Sequence, residues 1–269
     1  MNIVKLKEKA KFLRRETFKK IYNAKQGHIG GGLSCLDVLT ILYYKFLKYN
    51  PKNPNLEDRD RFILSKGHNC VPLYLILYDL GFFDEIEKFH SEGNTVGYPN
   101  PNVPGIELLT GALGHGIGVG AGIAFTAKKA NDLYKTVVLT GDAECYEGST
   151  WESAQFAAHH NLSNLIVIVD RNMQSVMGFT EEYNAFEPLH DKWKSFNWNV
   201  HRIDGHDYDK IIETLDKSWA AGDLDDKKPT VIIADTIKGK GVSYMERVLK
   251  WHHGIPNKEE YERGAYELE

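Results

Sequence analysis

The sequence predicts an α/β protein built on a doubly wound, mainly parallel β-sheet with helices on both faces. Three short runs, 136–140, 165–169 and 230–235, are apolar at almost every position, which is typical of strands buried on both faces. Segments with helical spacing of apolar residues separate these runs, and such alternation favours parallel strands. A chain of 269 residues can bury the core of one large domain, so we treat residues 1–269 as a single domain.

The first part of the chain is predicted to contain two helices, a loop between them, and a strand followed by a third helix. Residues 2–22 have apolar residues at helical spacing and form the first helix. The loop "QGHIGGGLS" follows, and Ser34 at its end suits the N-cap position of a helix over 35–47. The run "RFILS" (61–65) predicts a strand, and "KGHNCVPLYLILYDLG" (66–81) turns into another helix.

The rest of the chain begins with a long predicted loop over 91–105, which contains three prolines and three glycines. The glycine-rich segment 111–132 predicts a helix that can approach a neighbour closely. The elements that follow are predicted as strand 136–140, helix 148–161, strand 165–169, a loop to about residue 187, helix 188–196, strand 199–203, helix 208–221 and strand 230–235. The polar segment 237–269 is predicted to be a C-terminal extension that lies across the surface of the domain.

Composition and charge exclude several classes of function. A net charge of -4 and a pI near 6.3 give no basic surface, so we expect no nucleic-acid partner. The basic N-terminus lacks the apolar core of a signal peptide, and no apolar run reaches the roughly 18 residues of a membrane span. Three separated cysteines, Cys35, Cys70 and Cys145, form no CxxC pair and suit a reducing compartment. We therefore expect a cytoplasmic protein without a membrane partner.

Two polar residues follow neighbouring apolar runs in the sequence. Asp142 comes just after strand 136–140, and Asn172 comes just after strand 165–169. Ligands of doubly wound sheets bind beyond the carboxyl ends of the strands, so adjacent strands would place both oxygens in one crevice. With the backbone carbonyl of Gln174 they would form a hard-oxygen set that suits Mg²⁺ together with phosphate. An alternative stays open, in which Asp142 caps a helix and Asn172 shapes a turn.

Histidines beside glycines are a second candidate feature. His28, His68, His115 and the pair at 252–253 stand in or next to predicted loops, where little else in the sequence explains them. Imidazoles in such positions can bind phosphate oxygens or transfer protons near neutral pH. Each histidine alone is equally explained as a solvated or structurally bonded side chain, so the interpretation depends on their number.

These residues belong to stretches that resemble a known family. The segment from Gly141 to Asn172 resembles the thiamine-diphosphate motif, which opens with Gly-Asp-Gly and closes with an Asn about thirty residues later. The stretches "GHIGGGLSCLDVLTILYY", "RDRFILSKGHNCVPLYLIL", "PGIELLTGALGHGIGVGAGIA", "EGSTWESAQFAAHHNLSNLIVIVDRN" and "GKGVSYMERVLKWHHGIPN" are similar, in the same order, to the N-terminal section of split transketolases. The resemblance covers nearly the whole chain and implies a thiamine-diphosphate-binding fold.

The resemblance implies a role for each matching residue. The metal, Mg²⁺ or in its place Ca²⁺ or Mn²⁺, would be bound by Asp142, Asn172 and the carbonyl of Gln174. The cofactor-binding residues would be His68, Gly111, Leu113, Gly141, Asp142, Ala143, Asn172 and His252, with His68 and His252 at the diphosphate or thiazolium end and Gly111 and Leu113 beside the aminopyrimidine. The residues implied to be catalytic are His28, His252 and Glu147, with His28 facing the sugar hydroxyls and Glu147 near the catalytic glutamate of a partner chain.

The implied activity is transfer of a two-carbon ketol unit from a ketose donor to an aldose acceptor. The family's pyrimidine-binding half, which carries the catalytic glutamate, has no counterpart in this sequence. We therefore expect a partner, the C-terminal transketolase section, in an α2β2 assembly, and no activity from this chain alone. Tyr98 stands where the family usually has a histidine that contacts the donor, so the resemblance implies a substrate contact there and leaves room for a modified or deoxy sugar. Ala143 replaces the second motif glycine, and its methyl group fits if φ is negative.

Three alternatives stay open. The chain could belong to another thiamine-diphosphate enzyme with a deoxy or 2-oxoacid donor. It could be a non-catalytic assembly subunit that has kept the fold. A nicotinamide dehydrogenase is disfavoured, because the glycines in "GHGIGVG" alternate strictly and do not follow the G-x-G-x-x-G spacing.

Overall fold

The computed structural model of the protein describes residues 1–86, 90–91, 94–95, 97–220 and 227–269. Seven strands occur in these residues: β1 (Arg61–Leu64), β2 (His90–Ser91), β3 (Asn94–Thr95), β4 (Thr136–Gly141), β5 (Leu165–Arg171), β6 (Asn199–Asp204) and β7 (Thr230–Asp235). Five of them form one sheet in the order β1-β4-β5-β7-β6, and every pair in it is parallel. The predicted parallel, doubly wound sheet is confirmed, and β4 and β5 are neighbours.

Ten α-helices connect the strands within the described residues. They are α1 (Ile3–Ala24), α2 (Ile29–Ser34), α3 (Leu36–Ile41), α4 (Cys70–Asp79), α5 (Gly116–Ala130), α6 (Gly148–His159), α7 (Thr180–Tyr183), α8 (Leu189–Ser195), α9 (Tyr208–Ala220) and α10 (Lys258–Glu267). A π-helical turn (Leu42–Phe46) continues α3, and short 3-10 turns cover Gly67–Asn69, Asp142–Tyr146 and Leu249–His252. None of the helices in the described part of the chain is both long enough and apolar enough to cross a membrane.

The sheet is buried on both faces because successive side chains of its central strands enter different cores. In β5, Ile166 and Ile168 pack with one cluster, which includes side chains of α1, α3, α4 and α9. Val167 and Val169 pack with the other cluster, which includes side chains of α5, α6 and α8. This two-sided burial explains why the strand sequences are uniformly apolar and do not alternate with polar residues.

The predicted loop at 26–34 is wrong over most of its length. Residues 29–34 form α2, and the three consecutive glycines lie within it. The predicted role of Ser34 as an N-cap is also wrong: Cys35 stands at the N-cap of α3, and the hydroxyl of Ser34 donates a hydrogen bond of 2.6 Å to Asp170. A buried carboxylate is a stronger partner for this hydroxyl than a helix end.

Other predicted boundaries differ by a few residues. The helix predicted at 66–81 starts at Cys70, after the 3-10 turn, and the helix predicted at 111–132 starts at Gly116. The short β2–β3 pair starts at His90, one residue before the predicted loop 91–105, and continues into it. Residues 92, 93 and 96 of that loop, and residue 221 at the end of the helix predicted at 208–221, lie outside the described residues.

The C-terminal segment is more deeply packed than predicted. Val242, Met245 and Trp251 belong to the same buried core as α1 and α4, so residues 237–269 do not simply lie across the surface. Helix α10 begins with a capping box, in which Asn257 and Glu260 each bond the backbone N–H of the other. The few apolar residues of a polar stretch account for this packing.

All three cysteines are free and buried. Burial raises the pKa of the Cys35 and Cys70 thiols to about 12, and raises that of Cys145 even further. The three side chains therefore serve as small apolar core residues.

Candidate functional site

A cleft lies at the carboxyl edge of the sheet, where the residues following β1, β4, β5 and β7 meet. Pairing of Gly141 with Asp170 brings the end of β4 beside the end of β5. The residues that line the cleft are His28, Gly31, Lys66, His68, Asn69, Tyr98, Gly111, Leu113, Gly141, Asp142, Ala143, Glu144, Asn172, Gln174, Ser175, Val176, Lys238 and His252. The structure therefore brings together every residue predicted for the site except Glu147.

Asp142 presents a buried carboxylate to this cleft. Its Oδ2 accepts hydrogen bonds from the Arg171 guanidinium (3.1 Å) and the Met173 N–H (2.7 Å), and its Oδ1 accepts one from the Ala143 N–H (2.8 Å). Burial raises the pKa of Asp142 above its ordinary value, while Arg171 opposes this shift by favouring the charged form. A further cation in the cleft would stabilise the carboxylate in the same way.

Asn172 and Gln174 add two amide-type oxygens. The Nδ2 of Asn172 donates to Asp170 (3.1 Å), which fixes the side chain, and its Oδ1 accepts from the backbone N–H of Gln174 (3.1 Å). The backbone carbonyl of Gln174 accepts from the ammonium group of Lys238 at 2.9 Å. A carbonyl oxygen of the predicted metal set therefore already binds a positive charge.

Two lysines that the sequence pattern did not single out line the cleft. Lys66 is buried, donates to the Gly31 carbonyl (3.0 Å) and forms an ion pair with the buried Asp170. Lys238 contacts Nδ1 of His252 at 2.8 Å, and burial, followed by repulsion from Lys66, lowers its pKa to about 8. Both lysines follow a buried strand at the same edge as Asp142, and that position is the signal that could have identified them.

The three predicted histidines of the cleft form a cluster. Ring centroids lie 4.8 Å apart for His28 and His68, and 5.4 Å apart for His28 and His252. Burial is the largest effect and, together with the charge of Lys238 and other neighbours, lowers the pKa of His28 to about 4 and that of His252 to about 3. The pKa of His68 is also well below its ordinary value, first through burial and then through Lys66. The imidazoles are therefore neutral at neutral pH, and each keeps an unprotonated ring nitrogen that can accept a hydrogen bond.

One wall of the cleft depends on a glycine. Gly111 has φ of 150°, and a Cβ atom there would lie 2.6 Å from the ring of Tyr98. Gly111 thus allows the half-exposed Tyr98 ring to lie against the backbone, with Leu113 nearby at the mouth of the cleft. Ala143, by contrast, lies in a 3-10 turn and has no positive φ, so the backbone condition for its methyl group is met.

Glu144, which the sequence pattern did not single out, holds three segments of the cleft together. It accepts hydrogen bonds from the N–H groups of Gly141 (3.0 Å) and Gly114 (2.8 Å) and from the hydroxyl of Ser65 (2.6 Å). The side chain is buried and joins the ends of β1 and β4 to the segment before α5. The Glu144 carboxylate therefore stabilises the backbone segments that form the cleft.

Three sequence candidates are not among the residues that line the cleft. One of them, His253, stands beside the histidine cluster, with its ring centroid 4.6 Å from that of His28. Glu147 is exposed and precedes α6, where its Cβ faces the backbone of Gly114. His115 is exposed at the start of α5. The structure therefore places the side chains of Glu147 and His115 on the surface and not beside Asp142.

The donor atoms of the cleft favour a hard cation over zinc. Within the described ranges, no group of three or more His, Cys, Asp or Glu side chains is arranged to hold a metal ion. The histidine cluster is therefore not a zinc-type site. One carboxylate, one side-chain amide oxygen and one backbone carbonyl are ligands suited to Mg²⁺ or Ca²⁺ that is completed by phosphate oxygens or water.

Comparison with known proteins gives matches along nearly the whole chain. Residues 6–263 match the family model described as "Transketolase, thiamine diphosphate binding domain". The chain is similar to one of the subunits of the apulose-4-phosphate transketolase of Phocaeicola vulgatus, with 44% identity over 258 residues that cover 95% of this chain and 90% of that protein. It is also similar to "6-deoxy-6-sulfo-D-fructose transketolase subunit SqwG" of Clostridium sp., with 37% identity over 276 residues that cover 99% of this chain and 97% of that protein.

The solved structures give the same result for the fold. Transketolase from Campylobacter jejuni matches with a TM-score of 0.91 and 33% sequence identity. The match covers 100% of this chain and 43% of that chain, so the chain spans less than half the length of that protein.

Proposed function

Since the chain belongs to the transketolase family, as its thiamine-diphosphate-binding domain, we propose that it is one subunit of an enzyme that transfers a two-carbon ketol unit from a ketose to an aldose. The observation that carries this proposal is the cleft at the carboxyl edge of the sheet. There the oxygens of Asp142, Asn172 and Gln174 lie beside two buried lysines and three neutral histidines. Such a site can bind a metal-bound diphosphate at one end and accept hydrogen bonds from a sugar at the other.

The metal ligands of the proposal are Asp142, the side chain of Asn172 and the carbonyl of Gln174. The fit is supported by two contacts in the cleft: the Gln174 carbonyl binds the Lys238 ammonium, and Asp170 orients the amide of Asn172. Mg²⁺ suits these oxygens, and Ca²⁺ or Mn²⁺ could replace it. Lys66 and Lys238 add positive charge for the diphosphate.

Bound thiamine diphosphate supplies the carbanion-stabilising centre for breaking and making the carbon–carbon bond. The chain's own residues bind and orient it: Gly111 and Leu113 line the aminopyrimidine side, and His68 and His252 contact the diphosphate or thiazolium end. His28 is neutral because burial lowers its pKa to about 4, so its unprotonated ring nitrogen can accept a hydrogen bond from a sugar hydroxyl and orient it for proton transfer. The Gly141–Ala143 backbone completes the diphosphate side.

A second polypeptide is part of the proposal. The similar proteins from Phocaeicola vulgatus and Actinobacillus succinogenes are both named as single subunits of a transketolase, which supports a separate partner chain. Leu113 and Val176, which line the cleft, are exposed, and so are Met173 and Met177 in the same segment as Val176; we call these four residues the apolar rim. We infer that the C-terminal transketolase section covers this rim in an α2β2 assembly and brings its catalytic glutamate near Glu147. A cytoplasmic location is supported by the three free cysteines.

The proposed donor is a ketose with an anionic or otherwise modified end. The names of the two relatives contain a sugar phosphate, apulose-4-phosphate, and a sulfonated sugar, 6-deoxy-6-sulfo-D-fructose, and Tyr98 lines the cleft where a donor would enter. A deoxy or 2-oxoacid donor, and a purely assembling subunit, are the alternatives. Assays that offer a ketose phosphate or pyruvate as donor, with the partner present, separate the first two.

Calorimetric titration with thiamine diphosphate and Mg²⁺ tests the proposal. We expect saturable binding to the native chain and an affinity about tenfold or more lower for Asp142→Asn, because a charged ligand is lost. Asp235→Asn is the matched control, since Asp235 ends strand β7 of the same sheet but pairs with Arg202 outside the cleft. Equal binding by Asp142→Asn and the native chain would remove the metal assignment.

A further inference from the structure

Arg171, the last residue of β5, has a fully buried guanidinium group that lies outside the cleft lining. Its partners are Asp142, Thr180, Glu181 and Glu187, together with the ring of Phe186, whose centroid lies 4.5 Å from the guanidinium carbon. Nothing in the sequence pattern singles out this arginine. Its carboxylate partners come from β4's end and from the segment 173–187.

The Nη1 amino group of the guanidinium determines how Asp142 is held. Nη1 donates to Oδ2 of Asp142 at 3.1 Å and to the hydroxyl of Thr180 at 2.7 Å. Together with the Met173 N–H, this bond fixes Oδ2 and keeps the carboxylate plane in one orientation. A positive group at hydrogen-bond distance also favours the ionised form of Asp142, which is the form that binds a cation.

The other side of the guanidinium group holds the segment that follows the metal ligands. Nη2 donates to Glu181 at 2.8 Å and to Glu187 at 3.2 Å, and Nε donates to Glu187 at 3.3 Å. Both glutamates are partly exposed, with 29% and 30% of their side-chain surface accessible. The same cation therefore joins a buried ligand to two carboxylates at the surface.

We propose that Arg171 is the positioning residue of the metal site. It orients the Asp142 carboxylate, and its bonds to Glu181 and Glu187 link the segment 173–187 to that carboxylate. This inference rests on the proposed function only in taking Asp142 as a metal ligand. Arg171 itself touches neither metal nor cofactor. Residues that orient a metal ligand typically change metal affinity about 10- to 100-fold when they are replaced.

The test measures the affinity for thiamine diphosphate by calorimetry, once with Mg²⁺ and once with EDTA. The affinity with Mg²⁺ divided by the affinity with EDTA, here called the metal ratio, gives the contribution of the metal to binding. A substitution that merely destabilises the protein would leave the metal ratio unchanged. We expect Arg171→Met to lower this ratio about tenfold or more, and Arg171→Lys to recover part of it. An unchanged ratio in folded Arg171→Met protein would overturn the proposal.

Arg202→Met is the matched control. Arg202 donates to the same Glu187 at 3.2 Å, but its other hydrogen bonds go to the carboxylate of Asp235, which lies outside the cleft. We expect its ratio to stay within about twofold of the native value. A loss equal to that of Arg171→Met would show that anchoring of Glu187, and not positioning of Asp142, is what matters, and would contradict the proposal.

Two further measurements keep the test decisive. If Arg171→Met does not fold, the double variant Glu181→Gln with Glu187→Gln should still lower the metal ratio about threefold. An unchanged metal ratio in this double variant would contradict the role proposed for the segment 173–187. If the native chain together with its partner binds no thiamine diphosphate, the proposed function fails, and hydrogen exchange of the Met173 amide decides the positioning role alone. That amide should exchange faster in Arg171→Lys than in Arg202→Met, and equal rates would contradict the proposal.

Discussion

Lys66 and Asp170 form an ion pair in which both side chains are almost completely buried. Burial alone would raise the pKa of Asp170, yet Lys66 and the hydroxyls of Ser34 and Thr236 hold it below its ordinary value. Burial likewise would lower the pKa of Lys66, but Asp170 raises it. The remaining donors and acceptors of the pair are also satisfied, which is the condition under which a buried ion pair is tolerated.

Lys66→Met should destabilise the protein by about 3–5 kcal/mol at pH 7, because it leaves the buried carboxylate of Asp170 without its cation. The low pKa of Asp170 contributes stability above about pH 4, the value of the unfolded chain, and this contribution disappears as the pH falls through the folded value. The deficit of the variant should therefore shrink on acidification. Urea unfolding between pH 3 and 7 measures it.

Lys217→Met is the control for this substitution. Lys217 is exposed and pairs with the exposed Glu213, so the unfolding midpoint should hardly change. Removing both charges, in Lys66→Met with Asp170→Asn, should restore part of the lost stability. A loss below about 1 kcal/mol for Lys66→Met would mean that water reaches the pair.

Only part of the site could be predicted residue by residue. Asp142 and Asn172 could be predicted to lie close together, because each follows an apolar run and parallel strands end at the same edge. Lys66 and Lys238 also follow predicted strands at this edge, but their burial could not be predicted, since lysine is usually exposed and their partners are remote in sequence. Asp170 lies 104 residues from Lys66, and Gln174 lies 64 residues from Lys238.

At the scale of single elements, helix α2 differs most from its prediction. Three consecutive glycines favour a loop by intrinsic propensity. Tertiary contacts reverse this preference: a Cβ on Gly30 would lie 2.8 Å from the carbonyl oxygen of Trp251, and one on Gly31 would lie 2.6 Å from the amide of Asn69. The glycines thus allow the helix to pack against backbone and side chains that form the cleft.

Gly30→Ala should therefore destabilise the protein by about 1–3 kcal/mol, since the Trp251 carbonyl is backbone and cannot move aside cheaply. Gly32→Ala is a control in the same helix, because its nearest neighbour, Pro72, would be 3.6 Å from the new methyl group. It should be neutral or stabilising by up to about 1 kcal/mol. Chemical unfolding measures both variants, and equal effects would contradict this account of α2.

At the scale of the whole molecule, the two edges of the sheet have different surfaces. The carboxyl edge carries the cleft and the apolar rim, in which Val176 is 72% exposed and Met177 is 76% exposed. The opposite edge also has an exposed apolar residue, Leu133, at 94%, but it lies among charged side chains before β4. Exposed apolar groups that adjoin a binding cleft are typical of a surface that a partner covers.

Met177→Asp should prevent assembly with the partner chain, because a charge would be buried in an apolar contact. Leu133→Asp introduces the same charge at the other edge and should assemble normally. Light scattering of the co-purified chains gives the mass of each assembly, and circular dichroism checks that both variants fold. Assembly of Met177→Asp at the native mass would place the partner elsewhere.

The overall architecture was predictable because it depends on local pattern. Apolar runs at 136–140, 165–169 and 230–235 are typical of strands buried on both faces, and helical segments between them favour parallel pairing. The packing of the C-terminal segment was not predictable, since isolated apolar residues of a polar sequence, among them Val242, Met245, Trp251 and Leu268, carry it. Single buried side chains leave almost no periodic signal.

The burial of all three thiols has a consequence for how the protein withstands oxidants. Oxidation to sulfenic acid and reaction with alkylating reagents both require an accessible thiolate. With the pKa of Cys35 and Cys70 near 12 and that of Cys145 higher still, almost no thiolate exists at neutral pH, and all three sulfur atoms lie inside the folded chain. Peroxide or an alkylating reagent would therefore reach these cysteines only after unfolding, so their modification would report how often the domain opens.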